Sequence, residues 1–411
     1  MKLSIACVSV LSLVASACSS DGDGVTPSAG AGAGAGGGAS SGSTSTGGTG
    51  NSGTAGQSTG GKNDGKAGST SNQAGNAPTT PPGSTPSPMP IISRDVPAFA
   101  SSHEGDSTPE NAQDGDPETR WVSKALPAWL AYDLSDVPAA QRSRVLVAWY
   151  AGAALDFINE DPDPDKQLPV DFTIESNVAA GGSAPPADGW KVVKTVTKND
   201  RNSRQALLDL DSANWLRVKV TKSTSASEVG IDLDVHSAPN GATDSWLLMG
   251  DSITFMSTSY LFSDLPAQVN MLAKGRWPAI IPAGIGGTNT NTALDALDAT
   301  LEDFPGRFVT LNYGTNDHPE DYQMEELVKR VIAAGKAPVV PHMPWAPDSP
   351  EGPVMNAMID AIYAKYPEVV RGPDFWAAFL NRTDLIPEGD VHPNEEGQAI
   401  IRKEWAKAMT R

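Results

Sequence analysis

The apolar positions of this chain fall into three textures. From Ser19 to about Pro90 they follow no period; the stretch is Gly, Ser, Thr, Ala, Asn and Pro, as in GAGAGAGGGASSGSTSTGGTG. From about Ile92 short runs alternate apolar and polar residues: WLAYDL, SRVLVAWY, VDFTIES, WKVVKTV, QALLDLD, NWLRVKVT and VGIDLDVH. Each has the strand period of two and is bounded by Gly, Pro, Asp or Asn. With no helical period between Val137 and Ala238, they predict an antiparallel sandwich. From Asp244 the apolar runs SWLLMG, WPAIIPAG, RFVTLNYG and APVVPHMPW alternate with helix-like segments. The clearest of these are EDYQMEELVKRVIAAG, PVMNAMIDAIYAKY and NEEGQAIIRKEWAKAMTR. That alternation predicts an α/β unit, a parallel sheet covered on both faces, with its site at the carboxyl ends of the strands. The textures divide the chain into an N-terminal signal (1–17), a tether (18–91), an all-β domain (92–240) and an α/β domain (241–411). There is no internal repeat.

The N-terminal texture changes what can be said of compartment. Lys2 precedes an apolar run from Leu3 to Val14, and Ala15, Ser16 and Ala17 stand before Cys18. This is an export signal, too short for a membrane span. Its end resembles a bacterial lipoprotein processing site, with Ala15 where Leu or Val is commoner. The resemblance implies lipidation of Cys18 and a cell-envelope protein that meets the membrane only through that anchor. The alternative is ordinary cleavage and free secretion. The following tether buries too little apolar surface to offset its ordering entropy. As a Gly-rich coil of about 70 residues it has an r.m.s. span of roughly 45–50 Å. The 2 cysteines, Cys7 and Cys18, both lie in this leading segment. Everything after it therefore lacks disulfides and thiolate metal sites. The formal net charge of -19 argues against nucleic acid and anionic lipid as partners, since phosphate binding needs clustered Lys and Arg.

Four segments carry candidate chemistry. LLMGDSITFM places Gly250, Asp251 and Ser252 where the first strand of the α/β unit ends and a helix begins. A serine there is either a presented nucleophile beside helix amides or a plain turn and cap residue. AGIGGTNT ends the second strand with Gly284, Gly286 and Gly287, either a backbone N–H donor site or a tight turn. LNYGTND ends the third with Gly314, Asn316 and Asp317. Its Asn is an oxyanion donor or another cap. PEGDVHPNEEG holds His392 with Asp390 two residues before it. Of the five histidines (the others are His103, His236, His318 and His342), it alone lies in a short polar loop with a carboxylate at that spacing.

Together and in this order, the four segments resemble the SGNH hydrolases of the GDSL-type esterase superfamily, over Asp244 to Arg411. The resemblance implies a flavodoxin-like three-layer α/β/α fold and ester hydrolysis without a catalytic cofactor. It assigns Ser252 as nucleophile and His392 as base. The backbone N–H groups of Ser252 and Gly287, with the Asn316 amide, form the oxyanion site. Two departures stand out. The family's acid usually lies three residues before the histidine, where this chain has Gly389. Asp390 at minus two, Glu388 at minus four, or a backbone carbonyl then orients His392, with Asp390 preferred. The Asn often seen near the start of the second motif is replaced by Pro282-Ala283.

ENAQDGDPETRWVSKALPAWLAYDLS and NWLRVKVTKSTSASEVGIDLDV resemble the opening and closing of a discoidin (factor V/VIII type C) galactose-binding-like jelly roll, over about Ile92 to His236. That family implies a structural calcium at the Asp-Gly-Asp turn, with Asp114 and Asp116 as oxygen ligands. A capped turn without metal is the alternative. It also implies sugar binding, for which Trp121, Trp129, Trp149 and Trp190 could stack, most of them being core. The two resemblances together imply an exported esterase that removes acetyl or other small acyl groups from a carbohydrate. The alternatives are a lipid or general carboxylesterase, and a sugar-binding surface protein with an inactive hydrolase domain.

Overall fold

The computed structural model describes residues 86–116, 119–151, 167–201, 203–211, 213–258 and 264–411. The expected export signal, Cys18 and the tether up to residue 85 lie outside the described residues. Among the described residues no helix is long and apolar enough to cross a membrane.

The first part is a sandwich with, among the described residues, nine strands: β1 (Ala98–Ala100), β2 (Trp121–Ser123), β3 (Ala128–Asp133), β4 (Arg144–Tyr150), β5 (Pro169–Asn177), β6 (Lys191–Val196), β7 (Ser203–Asp209), β8 (Trp215–Ser223) and β9 (Val229–Ser237). A one-turn helix, α1 (Ala139–Arg142), precedes β4. The strands form two antiparallel sheets, β1-β3-β8-β5-β6 and β2-β9-β4-β7. Alternation decides what each sheet buries. Leu130 and Tyr132, Leu216 and Val218, Ile231 and Leu233 all face one shared core. Tyr132 fits there because its hydroxyl donates to Leu233 O at 3.0 Å, so that hydroxyl is not left unpaired.

The second part contains β10 (Ser245–Gly250), α2 (Ser252–Thr258), α3 (Asp264–Leu272), β11 (Ala279–Gly284), α4 (Thr290–Asp303), β12 (Phe308–Asn312), α5 (Met324–Ala333), β13 (Ala337–His342), α6 (Gly352–Lys365), β14 (Val370–Asp374), α7 (Phe375–Phe379) and α8 (Glu395–Met409). Its sheet is parallel, in the order β11-β10-β12-β13-β14. The apolar run of β10 has partners on both sides. Leu247 and Met249 pack with α4, α5 and α6, while Trp246 and Leu248 pack with α2, α3, α7 and α8. This is the three-layer α/β/α arrangement. Strand order reverses between β10 and β12, so the crevice for a ligand opens at their carboxyl ends.

The two parts share a seam. Leu146 on the outer face of β4 forms one apolar cluster with Met89, Ala238, Ala242 and Ala279, the last at the start of β11. Met89, three residues before Ile92, is thus part of this packing. Asp244, fully buried, takes a two-pronged bond from Arg276 at 2.8 and 3.0 Å. Such a pair adds little net stability against its desolvation, yet removing one partner is strongly destabilising. Arg204 of β7 meets Asp303 of α4 at 2.7 Å, and Ser245 donates to Gln205. The sandwich therefore covers the β11 edge of the parallel sheet, an exposure that would otherwise invite strand pairing between molecules.

Leu146→Ala should lower the unfolding free energy by about 2–5 kcal/mol and shift a single denaturant transition followed by tryptophan fluorescence. Two separated transitions, with the second unmoved, would show that the two parts do not share this core.

Candidate active site

The nucleophile turn is shaped by close approach. A Cβ at Gly250 would run into Thr254 Oγ1 and the Asn312 carbonyl, so only glycine lets β10 pass so near its neighbour before the turn. Asp251 follows, 1% exposed, and Ser252 opens α2. Ser252 Oγ lies 2.8 Å from His392 Nε2. His392 Nδ1 lies 2.7 Å from Asp390 Oδ1. A carboxylate only accepts, so Nδ1 carries the proton toward Asp390 and leaves Nε2 as acceptor for the Ser252 hydroxyl. The structure thus brings Ser252, His392 and Asp390 into one line.

The loop that delivers His392 explains how an acid two residues away reaches its ring. Gly389 sits at φ +83°, a left-handed turn that a larger side chain would strain. Its N–H donates to Asp348 Oδ2 at 2.6 Å. Beyond that turn Asp390 folds back, and its Oδ1 accepts the Val391 N–H at 2.7 Å and the His392 N–H at 2.9 Å as well as the ring. Asn394 then caps α8 by accepting the Gly397 N–H at 3.0 Å. Burial alone would raise the Asp390 carboxyl, but the backbone and ring of His392 and the Val391 N–H outweigh it and hold the group below its ordinary value. Glu388 is exposed, and among the described residues the ring nitrogens of His392 bond to Ser252 and Asp390 and to neither Glu388 nor a carbonyl.

The second and third motifs meet at the same corner. The loop after β11 returns to the nucleophile turn, with Ile285 N–H donating to Gly250 O at 2.9 Å. Gly287 is exposed at φ +71°, with nothing within 4 Å of where a Cβ would stand. Asn316 is exposed too, and its amide nitrogen donates to Thr288 O at 2.9 Å, one residue from Gly287. An amide has a second N–H to offer.

Two buried acids, named in the motifs but given no role there, also belong to this corner. Burial pushes Asp251 up to about 7, against bonds from Ile253 N–H, Thr315 and Thr254 N–H that pull it down. Burial likewise raises Asp317, whose bonds to Thr290 oppose the shift. Their one sequence signal was position: each directly precedes or follows a candidate reacting residue. Asp348 carried no signal, because its partner is a backbone N–H from a distant loop.

The other histidines are elsewhere. His236 is buried at the seam, with Nδ1 3.0 Å from Met89 O, and burial lowers it. His103 bonds Gly105 O, His318 faces Glu351, and His342 stands between Asp360 and Asp374.

In the sandwich, the Asp-Gly-Asp turn caps itself. Asp114 Oδ1 accepts the Asp116 N–H at 2.8 Å and Oδ2 accepts the Thr119 hydroxyl at 2.7 Å. The Arg94 guanidinium lies against Gly115. Among the described residues no group of three His, Cys, Asp or Glu is set to hold a metal. Asp114 and Asp116, the expected calcium ligands, thus stand together in one turn whose internal bonds use the Asp114 carboxylate. Trp121 and Trp149 are core. Trp129 and Trp190 are half-buried on the outer side, and the Arg217 guanidinium stacks over Trp190 at 4.0 Å while pairing with Glu175 at 2.5 Å.

Against known proteins, the family model of the GDSL-like Lipase/Acylhydrolase family matches residues 248–400. The thioesterase 1/protease 1/lysophospholipase L1 of Escherichia coli (strain K12) is 25% identical over 189 residues, 41% of this chain and 84% of that protein. Among solved structures, the psychrotrophic esterase EstA from Pseudoalteromonas sp. is 22% identical, covering 40% of this chain and 96% of its own, with a TM-score of 0.35. The chitosan-binding module 2 of a chitosanase/glucanase from Paenibacillus sp. IK-5 is 22% identical, covering 35% of this chain and 98% of its own, with a TM-score of 0.28. The matched segment holds Ser252, Gly287, Asn316 and His392, and residues 248–400 of this chain form a domain of the GDSL-like lipase/acylhydrolase family.

Proposed function

We propose that this chain is an exported serine esterase that removes acetyl or other small acyl groups from a carbohydrate through an acyl-enzyme. The observation that carries the chemistry is the line from Ser252 Oγ through His392 to Asp390. Ser252 Oγ attacks the acyl carbon as Nε2 takes its proton. The Ser252 and Gly287 N–H groups and the Asn316 amide hold the oxyanion. His392 returns the proton to the leaving alcohol, and water, deprotonated by the same nitrogen, frees the acid and restores Ser252. Asp390 keeps the imidazole in the reactive tautomer and steadies its charged form.

Two features support the carbohydrate half of the reading. The sandwich is packed against the hydrolase domain through a shared core. Its outer side presents the half-buried ring of Trp129, suited to stacking on a sugar face, and Trp190, one face of which Arg217 already covers. The pattern from Lys2 to Cys18 supports export and a lipid anchor at Cys18. A second reading, hydrolysis of longer acyl esters or thioesters, draws support from the relative named thioesterase 1/protease 1/lysophospholipase L1.

Ser252→Ala should leave a folded protein whose ester hydrolysis falls by on the order of 10⁴-fold or more. Retention of most activity would remove Ser252 as nucleophile. A chain-length series of p-nitrophenyl esters, together with acetate release from a panel of acetylated polysaccharides, separates the two readings. Preference for acetyl and release from a polysaccharide support the first; preference for long chains supports the second.

Asp390→Asn should slow hydrolysis by about 10³–10⁴-fold, while Glu388→Gln should stay within about twofold because that side chain is solvated. A swap of these results would make Glu388 the partner, and two silent variants would leave a Ser-His dyad. Because the folded Asp390 lies below its ordinary value, its stabilising contribution is present above about pH 4 and is lost as pH falls through the folded value. The gap in urea midpoint between wild type and Asp390→Asn should therefore narrow on acidification below about pH 4; a gap that widens would contradict this.

A further inference from the structure

The proposed oxyanion donors sit on loops, and loops alone do not hold a donor to the accuracy that catalysis needs. Three strand ends supply them: the turn 250–252 after β10, residues 284–290 after β11 and residues 313–317 after β12. Two buried carboxyl groups tie these three together. Asp251 accepts the Ile253 N–H at 3.0 Å and is bonded by the Thr254 N–H and Thr315, joining the first loop to the third. Asp317, 3% exposed, accepts the Thr290 N–H at 2.9 Å and the Thr290 hydroxyl, joining the third loop to the second. Thr290 is fully buried at the start of α4 and accepts the Gln323 N–H at 2.9 Å. Asn316 therefore lies between two pinned neighbours, Thr315 and Asp317, each fastened to a different loop.

We propose that Asp317 and Asp251 are positioning residues for the reaction, a two-carboxyl brace that acts through Asn316 and the Gly287 loop to hold the oxyanion donors in place.

The inference rests on the esterase reading of Ser252, Gly287 and Asn316. Its physical ground is the unfavourable environment in which the fold keeps both groups. Each is desolvated, the charge of Asp317 adds to the cost of ionising Asp251 while that of Asp321 does the same to Asp317, and Asp317 Oδ2 has no hydrogen-bond partner among the described residues. A solvent-exposed Asn or Ser cap would close the same turns without burying a carboxyl. What burial adds is stiffness: short, convergent bonds shielded from water, which let donors meet a developing oxyanion without reorganising.

The test is a cycle on p-nitrophenyl acetate with Asp317→Ala, Asp317→Asn, Asn316→Ala and Asn316→Ala/Asp317→Ala. Asp317→Ala should lower kcat by about 10–100-fold with KM within about threefold, as for a displaced oxyanion donor. Asp317→Asn keeps an oxygen for Thr290 and should restore kcat to within about threefold of wild type. In the Asn316→Ala background, Asp317→Ala should add less than about threefold. Additive losses, an unchanged kcat or a change confined to KM would overturn the proposal.

Hydrogen exchange reads the brace without substrate. In Asp317→Ala the amides of Thr288 to Thr290 and of Thr315 and Asn316 should exchange faster, with exchange elsewhere unchanged. Unchanged exchange at those amides overturns the brace. Faster exchange in a protein whose wild type hydrolyses no ester keeps the brace and sinks the esterase reading. If Asp317→Ala fails to fold, Thr290→Val, which loses the hydroxyl but keeps the N–H, enters the same cycle with an expected kcat loss of about 3–10-fold; no loss there overturns the proposal.

Discussion

The 2.8 Å contact between Ser252 Oγ and His392 Nε2 joins residues 140 positions apart, and most of the hydrolase domain can be understood as what that contact requires. Ser252 must stand at the end of a strand that cannot shift. β10 is such a strand, with parallel neighbours on both edges and apolar helices against both faces. A half-ångström slide would have to break a ladder and repack two cores at once. His392 must arrive from the far end of the chain on a loop that cannot swing. Asp348, Asp390 and the Asn394 cap hold that loop through backbone N–H groups at residues 389, 391, 392 and 397. Neither element is positioned by the contact itself, whose net worth is on the order of 1 kcal/mol. The contact is a result of tertiary packing.

That division of labour explains what was legible in the residues. The period-two runs of the sandwich and the apolar runs of the parallel sheet are themselves the burial pattern, so the two architectures could be read directly. The long helices could be read too, because α5 and α8 carry one apolar face over several turns. β14 could not. Its residues Val-Arg-Gly-Pro-Asp show no period, and only Gly372 and Pro373 are buried. It is a strand because Val339 and Val340 offer it an edge. The serine, glycine, asparagine and histidine were visible because each occupies a strand end or helix start that the pattern had already located.

The acids followed a different rule. Asp390 was one of three options because spacing along a chain does not give direction in space. The left-handed turn at Gly389 is what points Asp390 back at His392, and that follows from a bond to Asp348 some forty residues upstream. Asp251 and Asp317 stand in two of the motifs, but the residue pattern gives neither a role of its own. Their burial comes from neighbouring loops and is invisible in a ten-residue window. The tryptophans make the same point from the other side. Trp149 sits on β4 and Trp129 on β3, in similar alternating runs, yet Trp149 packs edge-on against Phe172 in the core while Trp129 faces outward. Phase relative to the core decides between them, and phase is set by the register of partner strands.

The sandwich enters the same mechanical argument through α4. This helix begins at Thr290, which Asp317 grips from the active-site corner, and ends at Asp303, which Arg204 of the sandwich meets. The Arg204–Asp303 pair is half-exposed and worth no more than about 1 kcal/mol, so it does not hold the parts together. That work falls to the shared core around Leu146, Met89 and Ala279. What the pair does is fix which part of the sandwich lies at the far end of the helix. A helix of 14 residues is about 21 Å long and, over that length, nearly rigid. The loop that carries Gly287 is thus set at one end by a buried carboxyl and referenced at the other to the sandwich. β11, the strand that feeds the same loop, lies against β7 of the sandwich as well. On the proposed reading, a polysaccharide held by the sandwich is held at a distance from the oxyanion corner that the fold itself sets, and a flexible linker in that place would give up the advantage.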